Sequence, residues 1–413
     1  MTSIIKKSNI AGKITAPPSK SMSHRAIMCA ALAGGKSVIK NVSMSQDISA
    51  TLGAMRMLGA AAEVDGTTIT VTGIGGAPDK SACGEVFCCE SGSTLRFIIP
   101  LFSLTGSAVK FTGQGRLMQR PQGVYEQIFQ NRGLSFVQNY ESIVIDGALT
   151  AGEYVVDGSV SSQFISGLFF ALPLLDGDST VKITPPFESR SYVNLTMQAM
   201  RDFGVSLTWK DNYTICIKGK QKYTSCDYTV EGDYSQAAFF EVLNAVTHSV
   251  KIDGLRKDSL QGDMAVMDIV KRCTQADGSL KATKIDLADC PDLGPILIVL
   301  GLFCEGETVI TNAQRLRVKE SDRIETMQAE IDKIGGIMHS DSGDIFVKKS
   351  VLRGADDLDG HNDHRIVMAM AVAALAAGIE VTLHGADAVK KSYPDFWRDI
   401  QMLGAEVSFI EAE

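Results

Sequence analysis

"TAPPSKSMSHRAIMCAALAGG", residues 15–35, sets two prolines and a cluster of hydroxyls and cations directly before an apolar helix. Ser19, Ser21 and Ser23 suit a helix start, because a hydroxyl can accept a hydrogen bond from a free backbone N–H there. Lys20 and Arg25 do not, because the N-terminal end of a helix already carries partial positive charge. After this helix come a strand-like "KSVIKNV", a second helix "SQDISATLGAMRMLGA", and two short strands, "AAEVDG" and "TTITVTG".

The same order returns along the chain. "SGSTLRFIIPLFSL", "SSQFISGLFFALPLL", "DYSQAAFFEVLNAV", "DLGPILIVLGLFC" and "NDHRIVMAMAVAALAAG" each open a further copy. The first helices begin near Ser21, Ser91, Ser161, Asp233, Asp292 and Asn362, with steps of 70, 70, 72, 59 and 70 residues. Gly59, Gly133, Gly204, Gly335 and Gly404 follow the second helices, where a left-handed C-cap is expected. Six such units, strand-rich at their ends and helical inside, predict an α/β (or α+β) protein with two domains of three units each.

Composition narrows the function. The 413 residues are 45% hydrophobic and 21% charged, as in a soluble globular protein, and the formal net charge of −8 argues against a general nucleic-acid or membrane-surface binder. Nine cysteines without a CxxC pair predict reduced thiols and a cytoplasmic protein. "MTSIIKKSN" has no apolar run of signal-peptide length, and Ile366–Ile379 is too short to span a membrane. "TGIGGAP" at 72–78 precedes no helix and reads as a turn rather than a nucleotide-binding loop. "HNDH" at 361–364 could pair two metal-binding histidines, but no third ligand lies nearby in sequence.

Cations recur at the helix starts. Arg96 lies in the second start, and His364 and Arg365 in the sixth. Arg116 and Arg120 precede Pro121, which is expected to open a helix. Arg315, Arg317, Lys319 and Arg323 precede another helix, and Lys390 and Lys391 a third. Several cations set against free backbone N–H groups predict anionic ligands. Asp292 and Glu320 stand within this positive field as candidates for moving protons.

The stretches "PPSKSMSHRA", "SGSTLR", "GRLMQRP", "GSVSSQF", "RVKESDR", "NDHR" and "KKSYPDFW" span nearly the whole chain, and together they resemble the enolpyruvyl transferase family. The resemblance implies two similar domains, each a threefold βαβαββ arrangement, here residues 1–16 with 231–413 and residues 17–230. It implies an active site in the cleft between them and transfer of the enolpyruvyl group of phosphoenolpyruvate to the 5-hydroxyl of shikimate 3-phosphate. Lys20 would touch both substrates. Ser21, Arg25, Ser161, Ser162, Gln163, Ser189, Tyr192, Asp292, Arg315 and Lys319 would hold shikimate 3-phosphate. Gly92, Arg120, Gln163, Arg323, Arg365 and Lys391 would hold phosphoenolpyruvate. Glu320 would handle the methyl proton and Asp292 the hydroxyl proton, with Lys20 as a rival. The resemblance implies a cytoplasmic monomer with no metal, cofactor, nucleic acid or membrane partner. Glu90, Ser93 and Arg315 depart from residues frequent in the family, and Glu90 adds a negative charge near the expected phosphoenolpyruvate site. Two other readings are a non-catalytic anion-binding protein on the same scaffold and a transferase acting on UDP-N-acetylglucosamine. The latter typically carries a reactive cysteine in a loop that here reads "GQGRLMQRP".

Overall fold

The computed structural model describes residues 1–78 and 84–411, so Cys83 lies outside the described residues. The chain divides into two compact units, Pro18–Glu231 and a second built from Met1–Pro17 with Gly232–Glu413.

Among its described residues the continuous unit holds six α-helices: α1 (Lys20–Leu32), α2 (Gln46–Met57), α3 (Gly92–Ser103), α4 (Gly123–Asn131), α5 (Ser162–Ala171) and α6 (Arg190–Asp202). They alternate with three four-stranded sheets. In one sheet Gly84–Phe87 runs parallel to Val109–Thr112, which pairs antiparallel with Ser142–Asp146, and that strand closes a hairpin with Ser135–Gln138. The sheet of Glu153–Asp157, Ser179–Thr184, Thr214–Ile217 and Leu207–Trp209 repeats this order. So does the first sheet, except that its parallel strand, Asp227–Thr229, comes from the far end of the unit. The expected βαβαββ unit is therefore present three times.

Helices α1, α3 and α5 are buried on nearly every face, and apart from the polar first half of α1 their sequences are largely apolar, as such burial requires. α1 packs on α2 and α6, α3 on α2 and α5, and α5 on α6, so the helices close into a ring. Pro100 lies inside α3 and has no N–H to offer the Arg96 carbonyl four residues earlier. Buried Tyr125 of α4 supplies the missing donor, its hydroxyl 2.6 Å from that carbonyl oxygen. Gly167 of α5 makes room for this contact. A Cβ there would fall 2.2 Å from the Tyr125 hydroxyl and 2.3 Å from the Arg96 carbonyl oxygen.

The second unit carries α7 (Tyr234–Thr247), α8 (Ala265–Cys273), α9 (Gly294–Gly301), α10 (Arg323–Lys333), α11 (His364–Ala377) and α12 (Phe396–Met402). Its sheet of Lys284–Asp286, Glu307–Thr311, Asp344–Lys348 and Ile337–Asp341 has the same order as those above. In the last sheet Ala355–Asp359 and Val381–His384 are completed by the N-terminal strand Thr2–Ile5, inserted antiparallel between Val381–His384 and Val407–Ile410. The fourth repeat is cut short. Its strand Val250–Asp253 pairs only with Gly12–Thr15, in parallel, which accounts for the 59-residue step. The repeat is thus uneven where the sequence predicts uniformity.

Local expectations fare similarly. The five glycines after the second helices all have positive φ, from 68° to 105°. Residues 72–74 of "TGIGGAP" finish a strand and the rest bend without starting a helix. Pro121 does not open a helix. It stands two residues before α4, after a short 3₁₀ turn over Leu117–Gln119. Asp292 caps nothing: it sits inside a 3₁₀ turn, Pro291–Leu293, that leads into α9.

Two alanine substitutions separate close packing from propensity. Gly167→Ala should lower the stability of this unit by about 3 kcal/mol, since rigid backbone stands in the way. Gly53→Ala, inside α2 with no atom within 4 Å of the added carbon, should raise it by about 0.5–1 kcal/mol. Urea unfolding of both variants checks the pair.

Candidate active site

Several of the site residues are placed by capped helix starts. Ser19 accepts from the Met22 N–H at 3.3 Å, Ser91 from Thr94 at 3.1 Å, Ser161 from Gln163 at 3.3 Å, Asp233 from Gln236 at 3.0 Å and Asp363 from Arg365 at 2.9 Å. The caps orient the first turn, and the cations of that turn project from it.

In the continuous unit, Lys20 Nζ lies 2.7 Å from Asp47 Oδ2. Buried Arg25 donates to Thr196 Oγ1 at 2.8 Å and to the carbonyls of Ser21 and Tyr192 at 2.8 and 3.1 Å. Burial lowers its pKa to about 10, and no carboxylate is among these partners. Arg96 donates to Gln163 Oε1 at 2.8 Å and to the Pro121 carbonyl at 3.1 Å, while Gln163 donates to Ser93 Oγ at 2.9 Å. Gly92, the first residue of α3, lies beneath Arg120: a Cβ would come 2.7 Å from Arg120 Nη1. That cradle of backbone and guanidinium fits an anionic group. Ser162 is buried at the start of α5. Buried Ser189, before α6, holds a left-handed φ of 54°, uncommon for a residue with a side chain. Behind these groups a chain of hydrogen bonds runs from His24 Nδ1 through Thr51 and Thr94 to Ser91, linking the starts of α1, α2 and α3. Burial, with Lys20 and Arg25 beside it, holds His24 well below its ordinary pKa and therefore neutral.

The second unit gathers charges of both signs. Asp292 Oδ1 lies 3.0 Å from Lys319 Nζ and 3.4 Å from Arg323 Nη1, and its Oδ2 lies 3.4 Å from Arg365 Nη2. Arg365 also donates to the Asp292 carbonyl at 2.8 Å and to Ser235 Oγ at 2.6 Å. Arg323 is almost wholly buried. Its Nε and Nη2 reach the two oxygens of Asp363 at 2.8 and 3.1 Å, and Nη2 reaches Glu320 Oε2 at 2.7 Å. Ser321 adds a hydrogen bond to Asp363 at 3.0 Å. Lys391 donates to the Asn362 carbonyl. Arg315 is half-buried on the turn before Lys319, whose pKa it helps to lower.

Burial would raise the Asp292 carboxyl, but Arg365, Lys319 and Arg323 overcome it and hold the group well below the usual carboxylate range. Burial lowers Lys319 despite Asp292 beside it. In Arg323 the order reverses: burial is outweighed by Asp363 and Glu320, and the guanidinium is held still more firmly protonated. Among the described residues no His, Cys, Asp and Glu group could hold a metal ion. In "HNDH" Asp363 is engaged by Arg323, and His361 Nε2 lies 2.8 Å from Glu330.

Sequence reasoning overlooked Asp47, Thr196, Ser235 and the role of Asp363. One signal could have found Asp47. Lys20 and Asp47 stand 27 residues apart, and so do Asp292 and Lys319. Both pairs join the first helix start of a repeat to its second, with the charges exchanged.

Asp292→Asn should destabilise the ligand-free protein by on the order of 2 kcal/mol at neutral pH, by leaving clustered cations unbalanced. A carboxylate with a depressed folded pKa stabilises above its unfolded value, near 3.9, and loses that contribution as pH falls through the lower folded value. The gap between wild type and variant should thus persist from neutral pH to about pH 4 and close in stronger acid. Chemical unfolding across that range, in phosphate-free buffer, measures it.

Similarity to known proteins agrees with this geometry. The profile of the EPSP synthase (3-phosphoshikimate 1-carboxyvinyltransferase) family matches residues 4–400. The 3-phosphoshikimate 1-carboxyvinyltransferase of Clostridium beijerinckii is 41% identical, with 96% of this chain and 95% of that protein covered. The enzyme of the same name from Clostridium novyi is 43% identical, with 96% of each covered. EPSP synthase from Acinetobacter baumannii superposes with a TM-score of 0.79 at 26% identity over 99% of both chains. The enolpyruvyl transferase NikO from Streptomyces tendae, at 18% identity, shares the fold with a TM-score of 0.75 over 100% of this chain and 99% of its own. Matched along nearly its whole length, the chain belongs to the EPSP synthase family of 3-phosphoshikimate 1-carboxyvinyltransferases.

Proposed function

We propose that the two clusters share the work of the family reaction, in which the enolpyruvyl group of phosphoenolpyruvate passes to the 5-hydroxyl of shikimate 3-phosphate and phosphate leaves. The observation that carries the assignment is the pair Asp292 and Glu320, two carboxylates on one guanidinium, Arg323. The reaction needs such a pair, because the methylene carbon of phosphoenolpyruvate gains a proton while the hydroxyl loses one. Glu320 delivers the methyl proton and later removes it. Asp292, held ionised before reaction by Arg365, Lys319 and Arg323, accepts a hydrogen bond from the 5-hydroxyl. It takes the proton as the new C–O bond makes that hydroxyl acidic, and passes it to the phosphate as the C–O bond to that group breaks. Lys319 and Arg315 help to hold this substrate.

Lys20, Ser21, Arg25, Ser161, Ser162, Gln163, Ser189 and Tyr192 receive the rest of shikimate 3-phosphate. Arg25 suits a phosphate, since the Thr196 hydroxyl and the Ser21 and Tyr192 carbonyls orient it without neutralising its charge. Gly92, Arg120, Gln163, Arg323, Arg365 and Lys391 receive phosphoenolpyruvate, and Lys20 meets both ligands. Both clusters act in one turnover. Lys and Arg then stabilise the departing phosphate by preorganised charge. The described cysteines are all free and no described helix is long and apolar enough to cross a membrane, which supports a cytoplasmic protein. We read it as a monomer.

Glu320→Gln should cut turnover by about 10²–10⁴-fold and leave shikimate 3-phosphate binding intact, as befits a proton carrier. Titration calorimetry and phosphate release decide it, and near-normal turnover would remove Glu320 from this role. Lys20→Met should cost about 3 kcal/mol of transition-state stabilisation, seen mainly in kcat. Arg25→Met should act mainly on shikimate 3-phosphate affinity. Equal effects of the two on affinity alone would contradict the division.

A further inference from the structure

The start of α11 rests on a turn that ordinary side chains resist. His361 and Asn362 both take left-handed backbone, with φ of 49° and 51°. A Cβ in that region crowds the following carbonyl, and such residues persist where their surroundings over-determine them. Here the surroundings supply a buried carboxylate. Glu330, two turns into α10, keeps only 1% of its side chain exposed. Its Oε2 accepts the Asp359 N–H at 2.9 Å and its Oε1 accepts from His361 Nε2 at 2.8 Å. Lys333 Nζ balances its charge from 3.0 Å and also donates to the Asp357 carbonyl at 2.7 Å. Asp359 in turn accepts the His361 N–H at 2.7 Å. Residues 357, 359 and 361 are thus all tied to α10.

The next two residues serve the candidate site. The Asn362 carbonyl accepts from Lys391, and the Asp363 carboxylate grips Arg323 and caps the helix that carries Arg365. Arg323 is itself the first residue of α10. One helix therefore holds the guanidinium at its start and, two turns on, the turn whose aspartate grips that guanidinium. We propose that Glu330 is a positioning residue for phosphoenolpyruvate: by clamping the 359–361 turn to α10 it fixes Asn362 and Asp363, and through them Lys391, Arg323 and Arg365. Glu330 touches no substrate, and the proposal rests on the functional reading above.

Glu330→Gln keeps the shape of the side chain and removes the charge that Lys333 and His361 share. It should raise the KM for phosphoenolpyruvate about tenfold, since small misplacements of binding groups have large effects. The Kd of shikimate 3-phosphate alone, by titration calorimetry, should stay at the wild-type value. His361→Ala, on a ring 30% exposed, should give the same pattern with about a threefold rise and unchanged thermal melting. If Glu330→Gln does not fold, His361→Ala decides alone. An unchanged phosphoenolpyruvate KM in the folded variants overturns the proposal. So does a parallel loss of affinity for both substrates, the mark of a merely loosened fold. Wild-type enzyme is assayed alongside, and if it releases no phosphate from the two substrates the functional reading itself fails, which is a separate result.

Discussion

The candidate site in the discontinuous unit depends on one buried ion pair, Arg323 with Asp363. Both side chains are 1% exposed or less. Taking two such charges out of water costs several kcal/mol each, recovered only where geometry is good and the remaining donors are satisfied. Here the guanidinium meets both oxygens of Asp363 and then Glu320 and Asp292, while Asp363 also caps α11. The pair is therefore less a source of stability than a means of specifying position. It makes two helix starts, separated by some forty residues of chain, adopt a single relative placement.

The continuous unit solves the opposite problem. Arg25 is held by carbonyls and a hydroxyl, groups without formal charge, and Arg96 donates to an amide and a carbonyl. The second cluster instead sets its cations directly against Asp292, Glu320 and Asp363. Pro100 shows how far local rules bend to serve this. A proline inside a helix would ordinarily be a fault, yet the carbonyl it frees belongs to Arg96, and Tyr125 claims it.

Much of this was legible in the sequence because repeats turn one ambiguous motif into six mutually supporting ones. The helix starts, the glycine C-caps and the family followed from spacing and from a handful of short motifs. What escaped were the partners. Asp47 is a weak signal in isolation, since an acid in the first turn of a helix is ordinary. Ser235 and Thr196 meet Arg365 and Arg25 across 130 and 171 residues of chain, a distance no local pattern can bridge. Uniform repeats also misled. The fourth lacks its hairpin, and Asp292 sits on a 3₁₀ turn where the other repeats place a cap.

The insertion of Thr2–Ile5 between Val381–His384 and Val407–Ile410 has a consequence for how the protein is made. A ribosome releases this strand long before either of its neighbours. The continuous unit can complete its sheets and its ring of helices once residue 231 has emerged. At about 5–20 residues per second, a further interval of roughly 10–40 s separates that moment from the last strand. Throughout it the nascent N-terminal segment presents bare backbone donors and acceptors on both edges, the condition in which strands recruit unintended partners. Its brevity, and the Lys6–Lys7 pair directly behind it, are the features that would keep so early a strand unattached until its place exists.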